Sequence, residues 1–237
     1  MKAILPEKLE TELKEEFFGK ARSGFFVEVG ANDPQRGSQT WHLEQLGWNG
    51  VLVEPQADLA ERLRQQRRAK VYAVVCSSPD NAGRTLALNL AGPRSSLNPG
   101  LVDPAERREH TVAVPAMTLD AILEDAGAPK PVDFVSIDVE NHEAEVLSGF
   151  DLDTWRPRLI LIEDHALDLR VHRHLTARGY KWVRRTGLNG WYVPRDTPLD
   201  VGALGALQFY RKYYLSAPFR RLRQAKRRLM HEMQTRR

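Results

Sequence analysis

Four short stretches concentrate the side chains that could do chemistry: Glu28-Val29-Gly30-Ala31-Asn32-Asp33, Glu54-Pro55, Cys76-Ser77 and Asp138-Val139-Glu140. Each ends an apolar run that reads as a strand, and three of the four carry carboxylates. Ligands of open parallel sheets bind at the carboxyl ends of strands, so acids placed there point to a binding site rather than to packing. Gly30 permits a sharp turn and a close approach of backbone to ligand. Glu54 follows it by about two dozen residues, where dinucleotide-binding folds place the acid that accepts hydrogen bonds from ribose hydroxyls. The run VGANDPQRG is not G-x-G-x-x-G, and it sets Asn32 and Asp33 where a pyrophosphate would lie. Negative charge at that point argues against a nicotinamide dinucleotide and for a nucleoside without phosphates.

The elements that must position these residues alternate. Leu9, Leu13 and Phe17 fall on one face of a helix within residues 1–20, with Glu10, Glu12, Glu15 and Glu16 around the rest. GFFVEVG (24–30) and GVLVEP (50–55) predict strands, a helix spans about 57–68, and KVYAVVC (70–76) predicts a third strand. RTLALNL and HTVAVPA add two strands around an irregular stretch holding Arg94, Ser95 and Ser96, which reads as a surface turn. TLDAILEDAG predicts a helix capped by Thr118 and closed by Gly127. VDFVSIDV, RPRLILIED, a helix over about 168–178 and a hairpin in YKWVRRTGLNGWYVP complete the domain. His172 and His174 fall on that helix as solvated side chains. Such alternation predicts a doubly wound, mostly parallel α/β sheet over 21–194 with a C-terminal hairpin, preceded by the helix and followed by a linker and tail over 195–237.

FFVEVGAND, GSQTWHLEQLGWNGVLVEP, TLDAIL and VDFVSIDVENHEAEVLSGF together resemble the FkbM family of S-adenosylmethionine-dependent methyltransferases, from about Phe25 to Tyr192. The cofactor is a nucleoside without phosphates, as the strand-end acids require. The resemblance implies a Rossmann-like class I methyltransferase fold and O-methylation of sugars or natural products. Carried over by position, it implies that Glu28, Gly30 and Asn32 line the methionine side and Glu54 holds the ribose. Ser38 and Thr40 would support the first loop, and Asp138 would sit beside the reacting methyl. The chain departs from the common pattern at Asn141-His142, beside the substrate pocket, and at Cys76-Ser77, where the adenine would be met.

A hydroxyl acceptor must lose its proton as the new bond forms, and the candidates are Asp138, His142, Glu163 and His165. Histidine titrates near operating pH, so His165 in LIEDH is favoured, followed by His142. Asp138, Glu163 and Asp164 could instead hold Mg²⁺, although their spacing is no recognised metal motif, and no metal is expected.

The net charge of +4 conceals a division: residues 211–237 hold ten Lys or Arg and one acid, leaving twenty-five basic and thirty acidic residues elsewhere. From Pro218, Leu222, Ala225, Leu229 and Met233 share one helical face, with Arg220, Arg221, Arg227 and Arg228 opposite. That pattern predicts an anionic membrane surface as partner of the tail, ahead of self-association and of nucleic acid. One cysteine, Cys76, excludes an internal disulfide, and neither a secretory leader nor a membrane span is legible. The expectation is a cytoplasmic enzyme, peripheral on the inner face of the plasma membrane, acting on a saccharide or lipid-linked glycan. A non-catalytic Rossmann-like module, or an RNA methyltransferase, is the rival reading.

Overall fold

A computed structural model of the 237-residue chain describes residues 6–19, 23–90, 95–97, 111–164, 169–199, 201–215 and 218. The predicted strands at β1 (Phe25–Val29), β2 (Asn49–Val53), β7 (Phe134–Ile137) and β8 (Leu159–Glu163) form the centre of a seven-stranded sheet, with β3 (Lys70–Tyr72) at one edge. The hairpin β9 (Tyr180–Thr186) and β10 (Asn189–Pro194) forms the other edge, and the order is β3-β2-β1-β7-β8-β10-β9. Pairing is parallel from β3 through β8; β10 alone runs against its neighbours. Strands β7 and β8 are buried at every position, as strands covered on both faces must be.

One face is covered by α1 (Pro6–Phe18), α2 (Trp41–Gln45) and α3 (Ala57–Gln66), which pack Phe17, Leu43 and Leu63 with Phe26, Leu52 and Phe134. The other is covered by α4 (Leu119–Ala126), α5 (Glu143–Ser148), α6 (Leu152–Trp155) and α7 (Arg170–Ala177), whose Ile122, Val146, Trp155 and Leu175 meet Val27, Val135 and Ile160. Helix α4 starts and stops as its sequence predicts: Thr118 Oγ1 accepts the Ala121 N–H at 3.2 Å, and Gly127 closes it at φ +65°.

Three readings of the sequence need correction. The run Lys70–Cys76 is two strands: the chain leaves the main sheet after Tyr72, and β4 (Val75–Cys76) joins β6 (Thr111–Met117) and β5 (Thr85–Asn89) in a second sheet, β4-β6-β5. An apolar run looks the same whichever sheet it pairs with, so the break was invisible in the pattern. Glu10, placed by its spacing away from the apolar stripe of α1, is buried, and so is Lys14. His172 is also packed rather than solvated, with its Nδ1 3.2 Å from the Tyr192 hydroxyl and its ring against Phe209 and Tyr213. Beyond the hairpin, α8 (Gly202–Tyr210) lies on β9, so the segment after residue 200 includes a docked helix as well as the tail.

Candidate active site

Strand order reverses at β1, which is bonded on one side to β2 and on the other to β7. The carboxyl ends of these strands diverge above that point and leave a crevice. At its base Gly30 adopts φ +84°, and a Cβ there would lie 1.8 Å from the Asp138 carbonyl oxygen. No other residue allows β1 to turn so close to β7. Asn32 follows at φ +50°, a conformation asparagine tolerates better than most residues.

Two buried carboxylates brace the loop that Gly30 opens. Glu28 accepts the Gln39 N–H at 2.6 Å, the Ser38 hydroxyl at 2.9 Å and the Thr40 hydroxyl at 2.5 Å. Arg67 binds the far side of Thr40 at 2.9 Å and is itself paired with buried Glu44 at 2.7 Å. Glu54, at the end of β2, accepts the Asn32 N–H and the Gln56 N–H, each at 2.9 Å and each on a different oxygen. Burial raises the Glu54 pKa while those two N–H groups oppose the rise. The Gln56 side chain bonds the same carboxylate, which still has accepting capacity for a further donor.

The crevice has two connected parts. A narrow cavity of about 70 Å³ is walled by Val53, Val75, Leu88, Leu97, Glu54 and His142. It meets a wider cleft of about 680 Å³ that reaches Glu28, Gln39, Arg62 and Asn189, and Gly30, Asn32, Asp138 and Glu140 line both. At the junction Asp138 is hydrogen-bonded to Glu163 and held up to about pKa 8, first by burial and then by the charges of Glu163, Glu140 and Glu143. Asp138 therefore keeps its proton near neutrality. Past Asp138 the backbone takes positive φ at both Glu140 (+50°) and Asn141 (+74°), and the Glu143 carboxylate steadies this turn by accepting the Val139 and Asn141 N–H groups at 3.3 and 3.1 Å. Two successive non-glycine residues in the left-handed region are costly, and such strain gathers at functional sites. The turn aims His142 into the narrow cavity, where its Nε2 lies 2.8 Å from the Ser77 hydroxyl. Burial lowers the His142 pKa, so the ring is neutral at physiological pH.

Gly30, Asn32, Glu54, Asp138 and His142 thus converge on one cavity, and Glu28 lines the adjoining cleft. Thr40 lies fully buried under the loop, and Ser77 is fully buried behind His142. Glu163 is buried against Asp138. Asp164 turns the opposite way, into an ion pair with Lys212, so the trio considered for a metal does not converge. Among the described residues no three such side chains cluster as metal ligands. His165, the favoured base, and Arg94 lie outside the described residues. Ser95 lines the narrow cavity and Ser96 is buried, donating to the Glu140 carbonyl at 3.2 Å, so this stretch is part of the wall and not a surface turn.

Sequence reasoning missed the support from α1. Lys14 donates to the Gln39 carbonyl at 2.6 Å and to its side-chain oxygen at 2.9 Å. Glu10 accepts from Gln39 at 2.7 Å, Asn189 at 3.0 Å and Thr186 at 2.5 Å. Both Gln39 and Asn189 line the wide cleft. The i, i+4 spacing of Glu10 and Lys14 was the available signal, but the same spacing also describes an exposed ion pair.

A seven-stranded sheet of this order, parallel but for one strand inserted next to the last, with its crevice at the β1 end, is the class I methyltransferase fold. Residues 28–182 match the methyltransferase FkbM domain, and the chain belongs to that family. No curated protein matches the chain. One solved structure that does is the ribosomal protein L11 methylase of Lactobacillus delbrueckii subsp. bulgaricus. It shares 8% identity over 78% of this chain and 77% of that one, with a TM-score of 0.39.

Proposed function

We propose that this methyltransferase uses S-adenosylmethionine and methylates a hydroxyl group, with a saccharide as the acceptor. The observation that carries the cofactor assignment is Glu54: a buried carboxylate at the end of β2, fixed by two backbone N–H groups and the Gln56 side chain, lining the narrow cavity. Such a carboxylate is a receptor for a sugar hydroxyl, as a ribose presents. The apolar walls from Val53, Val75, Leu88 and Leu97 suit a purine, and Glu28, Asp33 and Glu140 suit a ligand that carries cationic groups and no phosphate. When bound, the cofactor supplies an activated methyl group. The protein's part is to hold the acceptor in line and exclude water, because alignment lowers the barrier most in a displacement of this kind. A hydroxyl must also be relieved of its proton. Neutral His142 and the Asp138–Glu163 pair are the described groups able to take it, with His165 a further candidate.

The assignment to oxygen is tested with radiolabelled S-adenosylmethionine and a panel of glycans, lipid-linked glycans, amines and carboxylic acids. Base-stable, acid-resistant incorporation into the glycans is the result expected. Incorporation into amines, or as base-labile esters, would overturn the assignment to a hydroxyl. Activity that persists in EDTA is expected as well, and its loss would reinstate a metal among the acids at the β7 and β8 ends. We also propose that the basic tail over 211–237 holds the enzyme on an anionic membrane, which would bring it to lipid-linked acceptors. No described helix is long and apolar enough to cross a bilayer.

A further inference from the structure

Helix α8 is attached to the domain by an unusual face. Gly205 is buried, and a Cβ there would come within 2.7 Å of the Val183 carbonyl, so the helix lies directly on β9. Phe209 packs on Trp182 and His172. In the wider π-type turn that follows, over Arg211–Leu215, Lys212 is buried in its ion pair with Asp164 and donates to the Asp164 carbonyl at 2.8 Å. The Tyr213 hydroxyl donates to the same carboxylate. The inward stripe is therefore Gly205, Phe209, Lys212 and Tyr213, and it includes a glycine and a lysine.

The outward stripe is the apolar one. Leu204, Leu207 and Tyr214 are 62, 61 and 61% exposed, and Tyr210 and Leu215 are each 53% exposed. Their spacing keeps them on one side of the helix, and Tyr210 and Tyr214 stack with ring centroids 5.3 Å apart. A surface helix of a globular protein normally turns its leucines inward and its charges outward. Here the polarity is inverted on a helix that the Lys212–Asp164 pair locks in place. A fixed apolar patch of this kind marks a surface that something covers.

We infer that the outer face of α8 is a membrane-docking surface, in which Leu204, Leu207 and Leu215 enter the acyl boundary of an anionic leaflet and Tyr210 and Tyr214 lie at the headgroups. Charge identifies the occupant. The chain runs from this face straight into residues 216–237, which carry eight Lys or Arg against one acid. Tyrosines flanking leucines, followed by a cationic segment, match the interfacial region of a bilayer layer by layer. The inference rests on the membrane reading of the tail and adds to it a rigid, apolar contact that salt does not screen.

The test is sedimentation of the full chain with phosphatidylcholine vesicles, with and without phosphatidylserine. Wild type is compared with Leu204→Glu/Leu207→Glu and with Arg227→Ala/Arg228→Ala. The leucine variant should lose roughly tenfold or more in partitioning to the anionic vesicles, while its melting temperature and its affinity for S-adenosylhomocysteine stay unchanged. The arginine variant should bind less at low salt and differ little from wild type at high salt. If wild type binds and the leucine variant binds equally well, the docking face is overturned and the tail reading stands. If wild type sediments with neither vesicle, both are overturned. Dimeric wild type, monomeric variant and no vesicle binding would assign the face to a second copy and overturn the inference.

Discussion

An alanine at position 30 would place its methyl carbon on top of the Asp138 carbonyl, on a backbone already in the left-handed region. The clash is with main chain, so it can be relieved only by parting β1 from β7, the strands that frame the crevice. Gly30→Ala should therefore cost about 3 kcal/mol or more, in the range of strained-backbone substitutions. A urea midpoint equal to wild type would contradict this close approach. Asp138 predicts a pH effect. Its pKa is raised from an ordinary 3.8 to about 8, mainly by burial, so between those values the folded protein keeps a proton that the unfolded chain has released. The stability contributed by this group is thus complete below the lower value and is lost as pH rises toward the upper one. Asp138→Asn should flatten that decline and exceed wild type in stability at pH 9, with methyl transfer lost. Parallel declines in urea melts of the two proteins at pH 5, 7 and 9 would contradict the proton held on Asp138. Gly30, Glu54 and Asp138 were legible because each ends an apolar run, where position alone implies a site. The pairing of His142 with Ser77 was not, because the two are 65 residues apart and meet only through the turn at Glu140-Asn141.

Helix α1 shows how a correctly predicted element can be misread in orientation. The sequence gives its apolar stripe at Leu9, Leu13 and Phe17, yet these are half-buried while Glu10 and Lys14 are fully enclosed. Periodicity locates a helix but does not reveal which polar residues are buried by partners distant in sequence. Burial pushes the Lys14 ammonium down to about pKa 7 although Glu10 and Glu28 oppose the shift. Glu10→Ala would leave donors from Thr186, Asn189 and Gln39 without an acceptor, at a cost of about 2–3 kcal/mol. It should also weaken cofactor binding, because Gln39 and Asn189 line the cleft. A variant as stable as wild type in urea would show that α1 is merely appended. The Lys212–Asp164 pair makes the same argument where α8 meets the domain. Lys212→Met should destabilise the fold by about 3–5 kcal/mol, since it strands a buried carboxylate, and Asp164→Leu in the same chain should restore much of the loss. Additive losses in a double-mutant cycle would contradict the clasp.

At the scale of the whole molecule, the strand alternation predicted a doubly wound sheet and the sheet order bears this out. The second sheet stayed hidden because its strands share the same apolar alphabet as the first. It matters for function, since its Leu88 and the adjoining Leu97 close the narrow cavity over Glu54. The chain divides into a mildly acidic domain that builds the crevice and a cationic end, joined by α8, whose exposed face is apolar. The central claim is that the crevice between β1, β2 and β7 holds S-adenosylmethionine through Glu54. Calorimetric titration of the full chain with S-adenosylhomocysteine, beside Glu54→Gln, tests it most directly. The account predicts saturable binding by wild type and affinity at least about tenfold lower in the variant, or roughly 1.4 kcal/mol, with the variant still folded at the assay temperature. No binding by wild type, or equal affinity in the two proteins, would contradict it.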